Sequence, residues 1–171
     1  MEYFREEFVS AKQRTGLDVS EDTEFYVVRM LSDFMKEKLK DMPGNACLGL
    51  KYSDMGGNPY ETLRNLGDTC TFFCGLFPEH VERYSKLEYQ IGKGRRFYNL
   101  AFQKGRQKEI GVLCEMEEKL PDIVGTLNTM RDGMVLKTPD AGLLEAYIII
   151  PEWLKTYLLK VVPAKPGRLM S

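Results

Sequence analysis

The chain has few of the residues on which metal binding and nucleophilic catalysis usually depend. Its 171 residues include one histidine, His80, and four cysteines, at positions 47, 70, 74 and 114. Zinc sites usually take four ligands at short, characteristic spacings, and only Cys70 and Cys74 lie near each other in the sequence. Free cysteine is also among the most buried residue types. The composition therefore predicts core thiols, with no metal site and no cofactor.

The chain also lacks a surplus of charge and a long uninterrupted apolar run. Its net charge of -1 gives no general argument for binding nucleic acid or an acidic membrane surface. The longest apolar stretch, residues 143–162, contains four charged residues and a proline, so it predicts no membrane span. The first residues carry no apolar segment typical of a signal peptide. We therefore expect a cytoplasmic protein.

What is present is typical of a globular helical protein. Hydrophobic residues make up 43% of the chain and charged residues 29%. Apolar residues recur at three- and four-residue steps, the period of a helix with one buried face. The pattern predicts an all-α bundle of five to seven helices, with a single domain over residues 1–162 and a tail over 163–171. The expected helices are about 2–14, 20–40, 58–77, 85–105, 106–119, 121–131 and one that begins near 138.

The strongest pattern lies in residues 58–102, which predict two helices that pack against each other. The first begins at Asn58 and Pro59, a favourable cap and first-turn pair. Its apolar face contains Leu63, Leu66, Cys70, Phe73, Cys74 and Phe77. Gly67 falls on the same face, where it favours close approach of another helix. The alternative is a helix that ends at Gly67 and a new one that Asp68 caps.

The second helix of the pair also has a glycine on its apolar face. Residues 85–88 match a capping box, which would place Ser85 at the N-cap. The face that follows contains Leu87, Ile91, Gly94, Tyr98 and Phe102, and Gly105 marks the end. We predict that Gly67 and Gly94 are helix contact positions, whereas Gly92 lies off the contact face.

Arg95 projects toward the apolar side of the second helix, between Ile91 and Phe102. We expect it to be at least half withdrawn from solvent. An unpaired charge in such a place is costly, so a carboxylate must lie near. The expected partners are Asp68 and Glu79, with Glu88 as a local alternative on the same helix.

One resemblance follows from these segments. The sequence contains Leu66-Gly67-Asp68, then residues 75–79 (Gly-Leu-Phe-Pro-Glu), then Tyr89, Gly94 and Tyr98. Over about residues 20–105 this resembles a family of small bacterial helical proteins of unknown function. The chain departs from the family pattern at Gln90 and Phe97. The resemblance implies an all-helical bacterial cytosolic protein and brings no substrate, cofactor or catalytic residue.

Two function hypotheses remain open. The first is a non-enzymatic intracellular binding or assembly module that contacts a protein partner or a second copy. The second is a binding protein or an enzyme that takes a small anionic ligand in a pocket between the central helices. Its candidate residues are Asp68, Glu79, Tyr89, Arg95 and Tyr98. A third reading, nucleic acid on the basic and aromatic residues 93–108, is less favoured because the whole chain is nearly neutral.

Overall fold

The computed structural model describes residues 2–34, 59–82, 85–105 and 110–137, which form six helices and no strand. The helices are α1 (Glu2–Thr15), α2 (Glu21–Asp33), α3 (Pro59–Leu76), α4 (Pro78–Glu82), α5 (Leu87–Lys104) and α6 (Ile110–Lys137). The predicted all-α bundle is confirmed. None of the described helices is long and apolar enough to cross a membrane. The segment between the second and third expected helices, the last expected helix, the domain boundary and the tail lie outside the described residues.

α1 follows the expected boundaries and α2 begins where expected, whereas the end expected for α2 near residue 40 lies outside the described residues. α1 buries Phe4, Phe8 and Ala11, and the chain then turns at Gly16, whose φ of 74° is a conformation that glycine adopts readily. Ser20 caps α2, because its side chain accepts a hydrogen bond from the backbone N–H of Thr23.

A carboxylate from α6 also holds the N-terminus of α2. Glu115, on α6, accepts hydrogen bonds from the Ser20 backbone N–H, the Ser20 hydroxyl and the Thr23 hydroxyl. Burial raises the pKa of Glu115, but the hydrogen bonds from Thr23 and Ser20, with the charge of Lys119, outweigh it and lower that pKa below its usual value. The contact between α2 and α6 is therefore stronger while Glu115 is ionised.

Because the pKa of Glu115 is lower in the folded than in the unfolded chain, ionised Glu115 stabilises the fold above its unfolded pKa of about 4.3. That stability is lost as the pH falls through the lower, folded pKa. We expect Glu115→Gln to destabilise the protein at pH 7 and the difference from the wild type to shrink in acid, as measured by urea melts across pH. The exposed Glu118→Gln is the matched control. A difference that stays constant down to about pH 3 would contradict the prediction.

α3 is the central helix and runs without a break. Thirteen of its eighteen residues are buried, from Thr62 and Leu63 to Leu76. The alternative in which the helix ends at Gly67 is therefore wrong: close packing on all sides compensates for the weak helix propensity of glycine. Asp68 lies in the middle of the helix and does not cap one.

α3 and α5 are antiparallel and meet through reciprocal glycines. A β-carbon added at Gly67 would lie 2.8 Å from the ring of Tyr98 on α5. One added at Gly94 on α5 would lie 3.0 Å from the β-carbon of Cys70 on α3. Gly92 has open space around it. The predicted distinction between these glycines is confirmed, and so is the burial of Cys70 and Cys74.

The start of α5 differs from the predicted capping box. The N-cap is Lys86, and no side chain caps the helix. Ser85 therefore sits one residue too early for its hydroxyl to reach the first free amides, and it donates instead to the carbonyl of Lys86, 3.4 Å away. The helix ends at Lys104, before Gly105, as expected.

α6 is one helix of 28 residues, where two had been predicted around Pro121. Its buried face includes Leu113, Leu120, Val124 and Leu127. Cys114 was expected inside but is exposed, because it follows Leu113 by about 100° around the helix. The helix continues through Pro121 because its buried face on both sides of the proline packs into one core.

Candidate functional site

A buried carboxylate joins three helices at the centre of the protein. Asp68, on α3, is 2% exposed. The hydroxyls of Tyr26, on α2, and Tyr98, on α5, both donate to its Oδ1 atom at 2.7 Å. The hydroxyl of Thr71 lies 2.9 Å from that of Tyr98 and also donates to the carbonyl of Gly67 at 2.9 Å. We call these four side chains, Tyr26, Asp68, Thr71 and Tyr98, the Asp68 cluster.

The local sequence of α3 explains why Tyr98 reaches Asp68. Gly67 has no side chain, so the Tyr98 ring lies directly on the α3 backbone. Its hydroxyl then extends to the next residue, Asp68, and to Thr71 one turn further along. In the Leu66-Gly67-Asp68 sequence, Gly67 therefore makes room for the Tyr98 ring and Asp68 accepts the hydrogen bond from its hydroxyl.

The electrostatics of the cluster keep Tyr98 protonated. Burial raises the pKa of Tyr98 well above its usual value, and the charge of Asp68 raises it further. Tyr98 therefore remains a hydrogen-bond donor at all physiological pH values. A buried carboxylate requires such donors, and two phenols supply them here. The arrangement is suited to fixing α2, α3 and α5 relative to one another.

Arg95 is placed as predicted but has a different partner. Its side chain is 41% exposed, so more than half is withdrawn from solvent, and a carboxylate does lie near it. That carboxylate belongs to Glu117 on α6, whose Oε2 lies 3.3 Å from Nη2. The expected pairing with Asp68 or Glu79 is wrong. A β-carbon at Gly94 would meet both Cys70 on α3 and Leu120 on α6, and the next residue, about 100° further around α5, reaches Glu117 on α6.

Arg95 also supplies a hydrogen bond that α6 lacks. Proline has no N–H, so Pro121 cannot donate to the carbonyl four residues earlier, which is that of Glu117. The Nε of Arg95 donates to this carbonyl at 2.8 Å. Arg95 therefore bonds two groups of Glu117: the backbone carbonyl that Pro121 leaves without a donor, and the side-chain carboxylate.

We expect Arg95→Lys to lower the free energy of unfolding by about 1 kcal/mol, because a lysine cannot bond both groups with the geometry of the guanidinium. Urea melts measure the change. Arg96→Lys, on the exposed side of the same helix, is the control and should be nearly neutral. If the carbonyl of Glu117 is the important acceptor, Arg95→Lys should cost less in a Pro121→Ala background. An unchanged cost there would contradict this role.

The remaining predicted site residues lie apart from the Asp68 cluster. Glu79, next to the N-terminus of α4, accepts hydrogen bonds from Arg131 on α6. Tyr89, in the first turn of α5, is 64% exposed. Of the five predicted residues, the structure joins only Asp68 and Tyr98 directly. Sequence reasoning missed Tyr26, Thr71 and Glu117. Only Glu117 had a usable signal, its position four residues before Pro121.

Two open cavities lie beside α6. One, of about 320 Å³, is lined among the described residues by Arg95, Arg96, Asn99 and Leu100 of α5 and by Glu117. We call it the α5–α6 groove. The other, of about 470 Å³, lies where the α1–α2 turn passes α6. Lys119, which lines it, already donates to the carbonyl of Asp18.

Within the described ranges, no three His, Cys, Asp or Glu side chains form a group that could hold a metal ion.

Comparisons with family models, with curated proteins and with solved structures found no match to this chain. The resemblance to small bacterial helical proteins therefore stays a prediction.

Proposed function

We propose that the chain is a non-enzymatic binding or assembly module that acts in the cytoplasm on a protein partner or a second copy of itself. The observation that supports this is that the charged candidate site residues form bonds between helices. Asp68 binds Tyr26 and Tyr98, Arg95 binds Glu117, and Glu79 binds Arg131. These groups connect helices to each other and do not converge on a single cavity, as the groups of a catalytic site would.

Two exposed aromatic side chains support the same proposal. Phe25 on α2 is 54% exposed and Tyr89 on α5 is 64% exposed. Aromatic residues are enriched at protein interfaces, where they bury a large area for little loss of conformational freedom. The helices that carry them are held by the Asp68 cluster, so both side chains project from a rigid frame.

The proposal can be tested by crosslinking in cells of the protein's own host. A photoreactive benzophenone amino acid is placed at position 25 or 89, with positions 13 and 118, also exposed on helices, as controls. We expect one defined adduct from position 25 or 89 and none from the controls. The adduct from position 25 should be lost when Tyr89→Ser is added to the same chain, and the adduct from position 89 should be lost when Phe25→Ser is added.

Equal crosslinking at all four positions, or none at 25 and 89, would contradict the module. Native mass spectrometry of protein purified from the host gives an independent measurement. A module should retain a protein partner or a second copy, whereas a monomer that carries only a small molecule would favour a ligand-binding protein.

A further inference from the structure

The α5–α6 groove has the chemistry of an anion site. Arg95 and Asn99 lie one helical turn apart on α5, and so do Arg96 and Leu100, so their side chains project from neighbouring positions on one side of the helix. All three polar side chains that α5 contributes carry N–H donors, and two of them are cationic. We propose that this groove binds a small anion that carries a phosphate or carboxylate group.

The donors needed for such a ligand are present. Glu117 uses Nε and Nη2 of Arg95, which leaves the two hydrogens of Nη1 for another acceptor. The amide oxygen of Asn99 accepts from Gln103, and this bond orients its NH₂ group as a donor. Arg96 is exposed and forms no ion pair with a described residue. Guanidinium groups are suited to two-point contacts with phosphate and carboxylate.

The hydrogen bond from Arg95 to the backbone carbonyl of Glu117 makes the site rigid. Because its Nε is held by the carbonyl of Glu117, the guanidinium has a fixed orientation before any ligand enters. A preorganised donor loses less conformational freedom on binding. The volume of about 320 Å³ lies near the lower end of the range of ligand pockets, roughly 300–1,000 Å³, so a compact ligand is favoured.

Glu117 limits the affinity, and this gives the proposal a distinctive consequence. Its carboxylate lines the groove and repels an incoming anion. Glu117→Gln removes this charge but keeps an oxygen that can accept from Arg95, so the anion should bind more tightly. Arg96→Gln removes an exposed donor and should weaken binding. Glu117→Gln and Arg96→Gln each remove one charge from the same groove, yet the first should raise the affinity for the anion and the second should lower it.

The test is titration of the full chain with pyrophosphate and, separately, with succinate, at roughly 0.15 M salt so that general surface attraction is screened. NMR follows the side-chain N–H signals of Arg95, Arg96 and Asn99. We expect saturable shifts of these signals, about 10-fold or more weaker binding in Arg96→Gln, and several-fold tighter binding in Glu117→Gln. Arg5→Gln, an exposed arginine on α1, is the matched control and should change nothing.

The two probes distinguish the anionic group: preference for pyrophosphate assigns a phosphate ligand, and preference for succinate a carboxylate one. Absence of saturation for both would overturn the proposal, as would equal weakening in Arg96→Gln and Arg5→Gln. Tighter binding of a single-stranded oligonucleotide at the same signals would overturn the small-ligand assignment. Because the crosslinking positions 25 and 89 lie outside this groove, these outcomes are independent of the proposed assembly function.

Discussion

Replacing Asp68 with leucine is expected to lower the free energy of unfolding by about 2–4 kcal/mol, because it leaves two tyrosine hydroxyls without their acceptor. Tyr98 is fully buried, and Tyr26 is partly buried. An unsatisfied buried hydroxyl costs about 1–3 kcal/mol. The loss at Tyr26 is the smaller of the two, because its side chain is only partly buried.

A double-mutant cycle separates the hydrogen bond from general damage to the core. Tyr98→Phe alone should cost about 1 kcal/mol, and the double mutant with Asp68→Leu should lose less than the sum, since no buried hydroxyl of Tyr98 is then left unsatisfied. Asp132→Leu, at an exposed site on α6, is the control and should change stability by about 0.5 kcal/mol or less. Additive losses in the cycle would contradict the proposed role of Asp68 as acceptor.

Gly67→Leu is expected to cost about 3 kcal/mol or more through overpacking. Even the β-carbon alone would lie 2.8 Å from the ring of Tyr98. The ring cannot swing aside without breaking its hydrogen bond to Asp68 and losing its contact with the Thr71 hydroxyl. Gly94→Leu, which meets Cys70 and Leu120 at 3.0 Å, should cost about 1–3 kcal/mol.

The two alanine variants at Gly67 and Gly92 make this prediction sharper. Both replace a glycine within a helix, so both gain up to about 1 kcal/mol of helix propensity. At Gly92 nothing opposes the gain, because the added carbon meets open space. At Gly67 the contact with Tyr98 opposes it. We expect Gly92→Ala to raise the midpoint of a urea melt and Gly67→Ala to lower it. A shift of the same sign in both would remove the distinction between the two positions.

The local sequence pattern was sufficient to predict the positions of most of the described helices. The apolar faces of α3 and α5 were predicted from their three- and four-residue spacing, and buried residues such as Leu66 and Tyr98 lie on them. Two of the wrong predictions involve the ends and interruptions of helices. Ser85 matched a cap but lies one residue early, and Pro121 suggested a break in a helix that continues.

The failure at Pro121 has a specific physical cause. A proline removes one backbone hydrogen bond from a helix, and the cost depends on whether another donor reaches the freed carbonyl. Here the donor is Arg95, from another helix and twenty-two residues away in the sequence. The same fact explains the wrong partner predicted for Arg95, since the direction in which α5 faces α6 depends on the packing of both helices.

The sequence by itself determined that the chain forms amphipathic helices, that Gly67 and Gly94 lie at contacts, and that Arg95 needs a carboxylate. These follow from periodicity and from the cost of burying a charge, which are local properties. Only the tertiary structure decided that Tyr26 and Tyr98 bind Asp68, that Glu117 binds Arg95, and that Arg96 and Asn99 form a groove with them. Such pairings join separate helices, and their geometry depends on how the helices pack, which no single segment encodes.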